Sequence, residues 1–106
     1  MYARTVRMEL KPNSVAEFTR LLETDVIPAL RKQHGFKDEI AFVPTDGKEA
    51  VAISLWEEKE NADIYNRVTY PEVLRTLAKV IVGTPQVQTL EVTNSTFHKT
   101  AVRQAV

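Results

Sequence analysis

Two short apolar segments joined by an Asp-Gly turn lie in the middle of the sequence and constrain the fold more than any other feature. Residues 36–43 and 50–56 carry apolar, β-branched and aromatic side chains, and Val51, Ile53 and Leu55 share one face of the second segment. The residues between the segments include Asp46 and Gly47, which are typical of a tight hairpin turn. The sequence therefore predicts an antiparallel hairpin, around which the other elements must be arranged.

A strand and a helix precede this hairpin. Residues 2–10 alternate between apolar and polar side chains, which is typical of a half-buried strand. Ser14 and Glu17 have the spacing of a capping box and predict the start of a helix. The buried stripe of that helix is expected to be Val15, Phe18, Leu22 and Val26. Pro28 should kink or restart the helix, and Gly35 should end it.

A second helix and a fourth strand follow the hairpin. Asn61 is a suitable cap for a helix beginning at Ala62, and Pro71 should interrupt that helix. The helical pattern resumes over residues 72–81, and Gly83-Thr84-Pro85 is expected to end it. Residues 86–97 are rich in β-branched side chains and predict a long last strand.

The resulting order, βαββαβ, predicts an α+β, ferredoxin-like fold. Right-handed crossovers around a tight hairpin give a four-stranded antiparallel sheet in the order 4-1-3-2, with both helices on one face. The open face is expected to be partly apolar, with contributions from Ala41, Val43, Ala50, Ala52, Leu90 and Val92. Because an exposed apolar face is normally covered, we expect a homodimer with sheet packed on sheet. The end of the last strand or the tail should also touch the partner.

Composition limits the classes of function. The chain has 106 residues, which predicts one domain over residues 1–98 and a tail over residues 99–106. Fourteen basic residues balance fourteen acidic ones, so neither a nucleic-acid nor a membrane partner is expected. There is no cysteine, and the sequence shows neither a signal peptide nor an apolar run long enough to span a bilayer. A cytoplasmic location is the resulting expectation.

With this architecture, the chain resembles the antibiotic biosynthesis monooxygenase family of dimeric α+β barrels. The resemblance covers roughly residues 2–98 and is carried by YARTVRMEL at the start, by IPALRKQHGF, and by Trp56-Glu57-Glu58 followed by Asn61 to Tyr65. It implies oxygen-dependent oxidation of quinols or polycyclic phenols without a cofactor, or haem degradation. The residues of the haem-degrading branch do not carry over, because their places are taken by Val6, Tyr65 and about Arg75. No haem, flavin or metal is therefore expected.

The predicted topology gathers the candidate site residues near one end of the sheet. Arg4, His34, Trp56 and His98 should meet there, with Tyr65 on the second helix and Tyr70 further along it. His34, His98 and Tyr65 are the candidate catalytic groups, because a histidine ionises near neutral pH. Arg4, Trp56 and Tyr70 are the candidate substrate-binding residues.

Each candidate also has a structural interpretation. Trp56 could simply close the end of the sheet, the tyrosines could cover the core, and the histidines could lie on the surface. Arg4 lies on the same strand face as Val6, Met8 and Leu10, so it requires either a bound anion or an internal ion pair.

Two functions remain open from the sequence. One is a cofactor-independent monooxygenase-like protein that binds a small aromatic or quinoid compound in the cleft between helices and sheet. The alternative is a non-catalytic dimeric binding or stress-associated module of the same fold. A cleft with volume, a polar group at its base and a histidine within reach would favour the enzyme, whereas a filled cleft would favour the module.

Overall fold

The computed structural model describes residues 1–98, so the predicted tail lies outside the described residues. Its elements are β1 (Tyr2–Leu10), α1 (Val15–Leu21), a π-helical segment (Leu22–Val26), α2 (Ile27–Arg31), β2 (Phe36–Phe42), β3 (Glu49–Trp56), α3 (Lys59–Val68), α4 (Tyr70–Leu77) and β4 (Ile81–Glu91). The strands form one antiparallel sheet in the order β2-β3-β1-β4. This confirms the predicted order and the ferredoxin-like fold.

The core lies between the helices and one face of the sheet. Alternation along β1 buries Val6, Met8 and Leu10, while Arg7 and Glu9 are exposed. The helices supply the opposite wall, and the apolar side chains that they bury there are Phe18, Leu21, Leu22, Val26, Leu30, Val73 and Leu77. The apolar side chains that alternate along β1 and those that recur at helical spacing are therefore buried in a single core.

The first helical region runs from Val15 to Arg31 in three parts. The π-helical segment separates α1 from α2, and Pro28 lies in the first turn of α2, so the helix restarts near this proline as predicted. Gly35 follows with a φ of 78°, a left-handed conformation that glycine adopts without strain. The predicted capping box at Ser14 is wrong, because its side chain makes no capping bond and Glu17 pairs with Arg20 instead.

The second helical region begins earlier than predicted. Lys59, rather than Ala62, is the first residue of α3, because Glu58 takes the capping position. Asn61 belongs to the resulting capping box, and its Oδ1 accepts a hydrogen bond of 3.0 Å from the backbone N–H of Glu58. The interruption near Pro71 is confirmed, since α3 ends at Val68 and α4 starts at Tyr70.

The boundaries predicted for the last helix and strand are wrong. Helix α4 ends at Leu77, and β4 occupies residues 81–91 instead of 86–97. Ile81 pairs with Leu10, so the strand already begins before the Gly83-Thr84-Pro85 sequence. A shift of register along β1 between Arg7 and Glu9 accommodates that sequence, and Gly83 has a φ of 69°.

The open face carries different residues from those predicted. Ala50 lies opposite Met8, and Ala52 lies opposite both Val6 and Ala41, so these alanines share the helix side with the core. Val43 also packs on the core. A change of one residue in the assumed register exchanges the two faces of a strand, and this explains the error. The open face instead presents Ile40, Phe42, Val51, Ile53 and Leu55, together with the predicted Leu90.

Val92, the sixth residue assigned to the open face, lies just beyond β4. Its backbone N–H donates a hydrogen bond of 2.9 Å to the carbonyl oxygen of Met1. The open face is thus more apolar than predicted, because isoleucine, phenylalanine and leucine take the places assigned to alanines.

Candidate functional site

A small cavity of about 40 Å³ lies between the sheet and the helices. That volume has room for about two or three water molecules. Its walls are mostly apolar, and the polar or titratable side chains among the lining residues are Arg4, Glu39, Ser54, Tyr65 and Tyr70. The small Ala52 in the sheet and the π-helical segment, which contributes Leu22 and Val26, help to shape it. Such π-helical turns are frequent at functional sites.

Arg4 is the most unusual residue of this cavity. Alternation along β1 turns it toward the helices, where it is only 2% exposed. Its Nη2 donates a hydrogen bond of 2.7 Å to Oδ1 of Asn66, and its guanidinium carbon lies 4.1 Å from the ring centre of Tyr70 and 5.1 Å from that of Tyr65. Among residues 1–98, no carboxylate forms an ion pair with Arg4, and its Nε has no hydrogen-bond partner.

The site holds a buried cation that forms no ion pair within residues 1–98. Burial lowers the pKa of Arg4, although the two nearby phenols partly offset this effect. Burial also raises the pKa of Tyr65 to about 12, so this phenol is neutral at physiological pH. Burial raises the pKa of Tyr70 in the same direction, with Arg4 acting against it. The tyrosine rings therefore attract the guanidinium through their π faces but supply no negative charge.

The Tyr70 hydroxyl is buried beside the Arg4 guanidinium, which interacts with its oxygen, but no hydrogen bond of ordinary geometry joins it to the described part of the chain. Together with Arg4 Nε, it makes two unused donors that border the same cavity. Buried donors without partners are rare in folded proteins, and each one calls for an explanation such as a ligand or a bound water. An oxygen atom with several lone pairs is the acceptor that would satisfy both.

Trp56 supports the cavity indirectly, through its contact with Tyr65. It is completely buried, its Nε1 donates a hydrogen bond of 2.8 Å to Oγ of Ser54, and its ring centre lies 5.2 Å from that of Tyr65 and 5.6 Å from that of Phe36. Trp56 therefore packs on α3, the first helix after the hairpin. Trp56 does not itself line the cavity. Its contacts hold Tyr65, which in turn lies beside Arg4.

The two histidines do not join this cluster. His34 is exposed in the turn between α2 and β2. His98 contacts the carboxylate of Asp38 and the ring of Phe97, and Phe97 borders the open face together with Ile40. The structure thus brings together Arg4, Trp56, Tyr65 and Tyr70 of the predicted site residues, but it leaves both histidines outside the cavity.

Glu39 is the site residue that sequence reasoning missed. It lines the cavity, and its backbone lies opposite Ser54, which in turn lies opposite Arg4. Burial raises the pKa of its carboxyl group. The signal was present in the sequence: Glu39 and Ala41 must share one face of β2, so the correct face for Ala41 would have placed Glu39 at the site.

A metal-ion cluster and a membrane-spanning helix are both absent among the described residues. Within residues 1–98, no group of three or more histidine or acidic side chains is arranged to hold a metal ion. None of the helices in this range is both long and apolar enough to cross a bilayer.

Comparison with solved structures identifies the fold. A monooxygenase of Streptomyces coelicolor, solved in complex with the ligand nanaomycin D, superposes with a TM-score of 0.75 at 16% identity, covering 92% of each chain. The NE2512 protein of Nitrosomonas europaea, of unknown function, gives a TM-score of 0.74 at 15% identity, covering 93% of this chain and 95% of that one. A structure named antibiotic biosynthesis monooxygenase gives 0.69 at 15% identity, covering 87% and 98%.

Comparison of sequences does not assign the chain to a family. No family model matches the chain, and no curated protein matches it significantly. The likeness is therefore one of structure at low identity, and it extends over almost the whole chain. The fold of this chain is α+β and ferredoxin-like, and it is the fold of solved structures named antibiotic biosynthesis monooxygenases.

Proposed function

We propose that this protein binds a small hydroxylated aromatic or quinoid compound as its oxyanion, in the cavity between helices and sheet, with Arg4 as the anchor. The observation that carries the proposal is the burial of Arg4 without a carboxylate partner among the described residues. A buried charge without compensation destabilises a fold by several kcal/mol, roughly, so its presence favours a role in binding.

The chemistry of the cavity fits a phenolate. The Tyr70 oxygen interacts with the Arg4 guanidinium, but its O–H and Arg4 Nε have no acceptor within residues 1–98, and an aromatic oxyanion has the lone pairs to accept from both. The remaining walls are mostly apolar and would contact the ring of such a ligand. Hydrogen bonds from a charged donor are worth about 1.5–3 kcal/mol each, which makes the oxyanion the main determinant of affinity.

The size of the cavity limits how the ligand can enter. At about 40 Å³ it does not accept an aromatic ring as it stands, so side chains must move apart. Leu22 and Val26 of the π-helical segment are candidates for this movement, because they line the cavity from a short, irregular piece of helix. The small volume favours a binding module over a ready-formed active site for polycyclic substrates.

Oxygenation of the bound ligand is the second candidate function. It is favoured by the monooxygenase names of several structural neighbours and by the oxyanion site, since a phenolate is more easily oxidised than a phenol. A phenol with a free para C–H and one molecule of oxygen would give a quinone and water, with one oxygen atom in each product. Because His34 and His98 lie outside the cavity, they are no longer suitable bases for this reaction, whereas Tyr65 remains a proton donor at its wall.

Binding can be tested with matched pairs of phenols and their methyl ethers. Titration of the protein with para-cyanophenol and para-cyanoanisole compares two rings that differ only at the hydroxyl group. We expect the phenol to bind at least about tenfold more tightly, as the loss of a charged hydrogen bond implies. Equal affinities would contradict the proposal, because the ring alone would then determine binding. Oxygen consumption with electron-rich phenols tests the second candidate on the same protein.

We also propose that the protein is a homodimer formed through the open sheet face. Ile40 and Phe42 are 53% and 51% exposed there, and Ile53, Leu55 and Leu90 extend the same surface. A continuous apolar surface of this kind is unusual on a monomer. A stable interface of standard size buries roughly 1,200–2,000 Å² in total, and a face spanning the sheet can provide it.

Sedimentation at micromolar concentration tests the dimer. Phe42→Glu places a charge in the proposed interface and should give a monomer. Val68→Glu is the matched control, because Val68 is 64% exposed on α3, away from the sheet. A monomeric wild-type protein, or equal dissociation of both variants, would contradict the proposed interface.

A further inference from the structure

We infer that Glu39 is the proton acceptor of the ligand site, so that the hydroxyl proton of a bound phenol passes to its carboxylate while Arg4 holds the resulting oxyanion. This inference rests on the proposed function and adds a specific role for a residue outside the predicted site. It is carried by the position of Glu39 in the cavity and by its relation to Arg4.

The two groups lie in one row across the sheet. Arg4 on β1 pairs with Ser54 on β3, and Ser54 pairs with Glu39 on β2. The pairing places all three residues on the helix side of the sheet, and all three line the cavity; Glu39, on the edge strand, also borders the open face. Neighbouring strands are about 4.8 Å apart, which places the backbones of Arg4 and Glu39 about 10 Å apart. Two long side chains separated by a serine can reach one ligand from opposite sides.

Ser54 does not compete for this ligand. Its hydroxyl oxygen already accepts a hydrogen bond of 2.8 Å from Trp56 and lies 3.4 Å from the carbonyl oxygen of Arg4. Glu39, in contrast, has no hydrogen bond and no ion pair within residues 1–98, so its carboxylate is available.

The charged surroundings of Glu39 suit this role. The other titratable groups at the cavity are Arg4 from β1, Tyr65 from α3 and Tyr70 from α4, while the π-helical segment and α2 contribute only apolar side chains. On β2 itself, Asp38 contacts His98 and Lys37 lies 3.6 Å from Glu57. Burial raises the pKa of Glu39 and so makes its carboxylate a stronger base.

Exposure separates the two roles further. Arg4 is buried, and an arginine side chain stays protonated in proteins, whereas Glu39 is only half-buried and can exchange protons with solvent. On binding, the O–H bond of the ligand breaks, its electron pair stays on the oxygen facing Arg4, and the proton forms an O–H bond with the Glu39 carboxylate. No proton then needs to leave the complex for the ligand to bind as an anion.

This transfer predicts how affinity depends on pH. Between the pKa of Glu39 and that of the free phenol, the wild-type protein should bind para-cyanophenol with a Kd that does not change with pH, because no net proton is released. Glu39→Gln cannot accept the proton, so each binding event releases one to the buffer. The Kd of this variant should fall by about tenfold for each unit rise in pH.

The experiment measures both the Kd and the absorbance of the bound ligand, which differs between phenol and phenolate. Glu57→Gln is the control, because this carboxylate is exposed, lies outside the cavity and should keep the wild-type profile. If Glu39→Gln bound the phenolate with the flat pH profile of the wild-type protein, another group would have to take the proton. That result would overturn the role of Glu39 but not the proposed function. Failure of the wild-type protein to bind the phenol would overturn the proposed function as well.

Discussion

Replacing Trp56 with alanine should destabilise this protein more than any other single truncation of an aromatic residue. The side chain is fully buried and packs against the rings of Phe36 and Tyr65. Removal of a buried tryptophan typically costs about 3–5 kcal/mol, because the transfer energy is lost and a cavity remains. This is a large share of the roughly 5–15 kcal/mol that stabilises a typical domain.

The expected change is large enough for a simple assay. At about 4–8 °C per kcal/mol for a small domain, a loss of about 3 kcal/mol lowers the Tm by at least about 12 °C. Protein concentration must be the same for each variant, because the proposed dimerisation would make the Tm depend on it. Thermal unfolding followed by circular dichroism measures the shift directly.

Two further variants separate packing from other effects. Trp56→Phe keeps an aromatic ring but loses the hydrogen bond to Ser54, so it should cost only about 1–2 kcal/mol. Val68→Ala truncates a side chain that is 64% exposed on α3, outside the proposed interface, and should change stability by at most about 0.5 kcal/mol. A Trp56→Ala protein as stable as Val68→Ala would refute the argument that Trp56 holds the sheet end and Tyr65 together.

Three other substitutions test separate parts of the structure. Gly35→Ala should lower the free energy of unfolding by about 2 kcal/mol or more, because the new Cβ is strained at a positive φ and collides with Asn61. Gly83 has a similar φ but open space around it, so Gly83→Ala should cost only about 1 kcal/mol. Equal losses in chemical denaturation would contradict the collision with Asn61. Glu39→Gln should raise stability at pH 7, because the raised pKa of Glu39 disfavours the ionised carboxylate in the folded state. The gain should disappear below about pH 4, where the side chain is neutral in both proteins. A gain that persists in thermal unfolding at acidic pH would contradict this explanation. Tyr70→Phe should be neutral or stabilising by up to about 1 kcal/mol while weakening para-cyanophenol binding, and a clear loss of stability would show that the hydroxyl makes a stabilising bond.

The fold could be predicted because its signals are local and repeated. The alternation in β1, the Asp-Gly turn and the glycine after α2 each determine nearby backbone, and together they leave few topologies. The boundaries of β4 could not be predicted in the same way. Gly83 and Pro85 usually end an element, but here pairing with β1 carries the strand past them through a local change of register.

The site was only partly predictable, for a different physical reason. Arg4 was evident because a charged residue on an apolar face is unusual in any fold. The place of Glu39 depended on which face β2 turns to the helices, and β2 gives a weak alternation that fits either choice. The two histidines lie outside the strands, in the turn before β2 and beyond the end of β4, where the strand pattern does not determine side-chain positions. Because of the same ambiguity, the sequence predicted alanines on the open face, which in the structure presents large apolar residues.

The most direct test of the account compares stability and ligand binding in wild-type protein and in Arg4→Met. Methionine keeps much of the length of the side chain but removes a buried charge that forms no ion pair within residues 1–98, and Asn66, which is exposed, can bond to water instead. Replacing a buried charge by an apolar side chain often stabilises a protein by about 1–4 kcal/mol. We therefore expect Arg4→Met to unfold at a higher temperature than the wild-type protein and to lose its preference for para-cyanophenol over para-cyanoanisole. An Arg4→Met protein that is less stable and still prefers the phenol would contradict the claim that Arg4 is held in the core to bind an oxyanion.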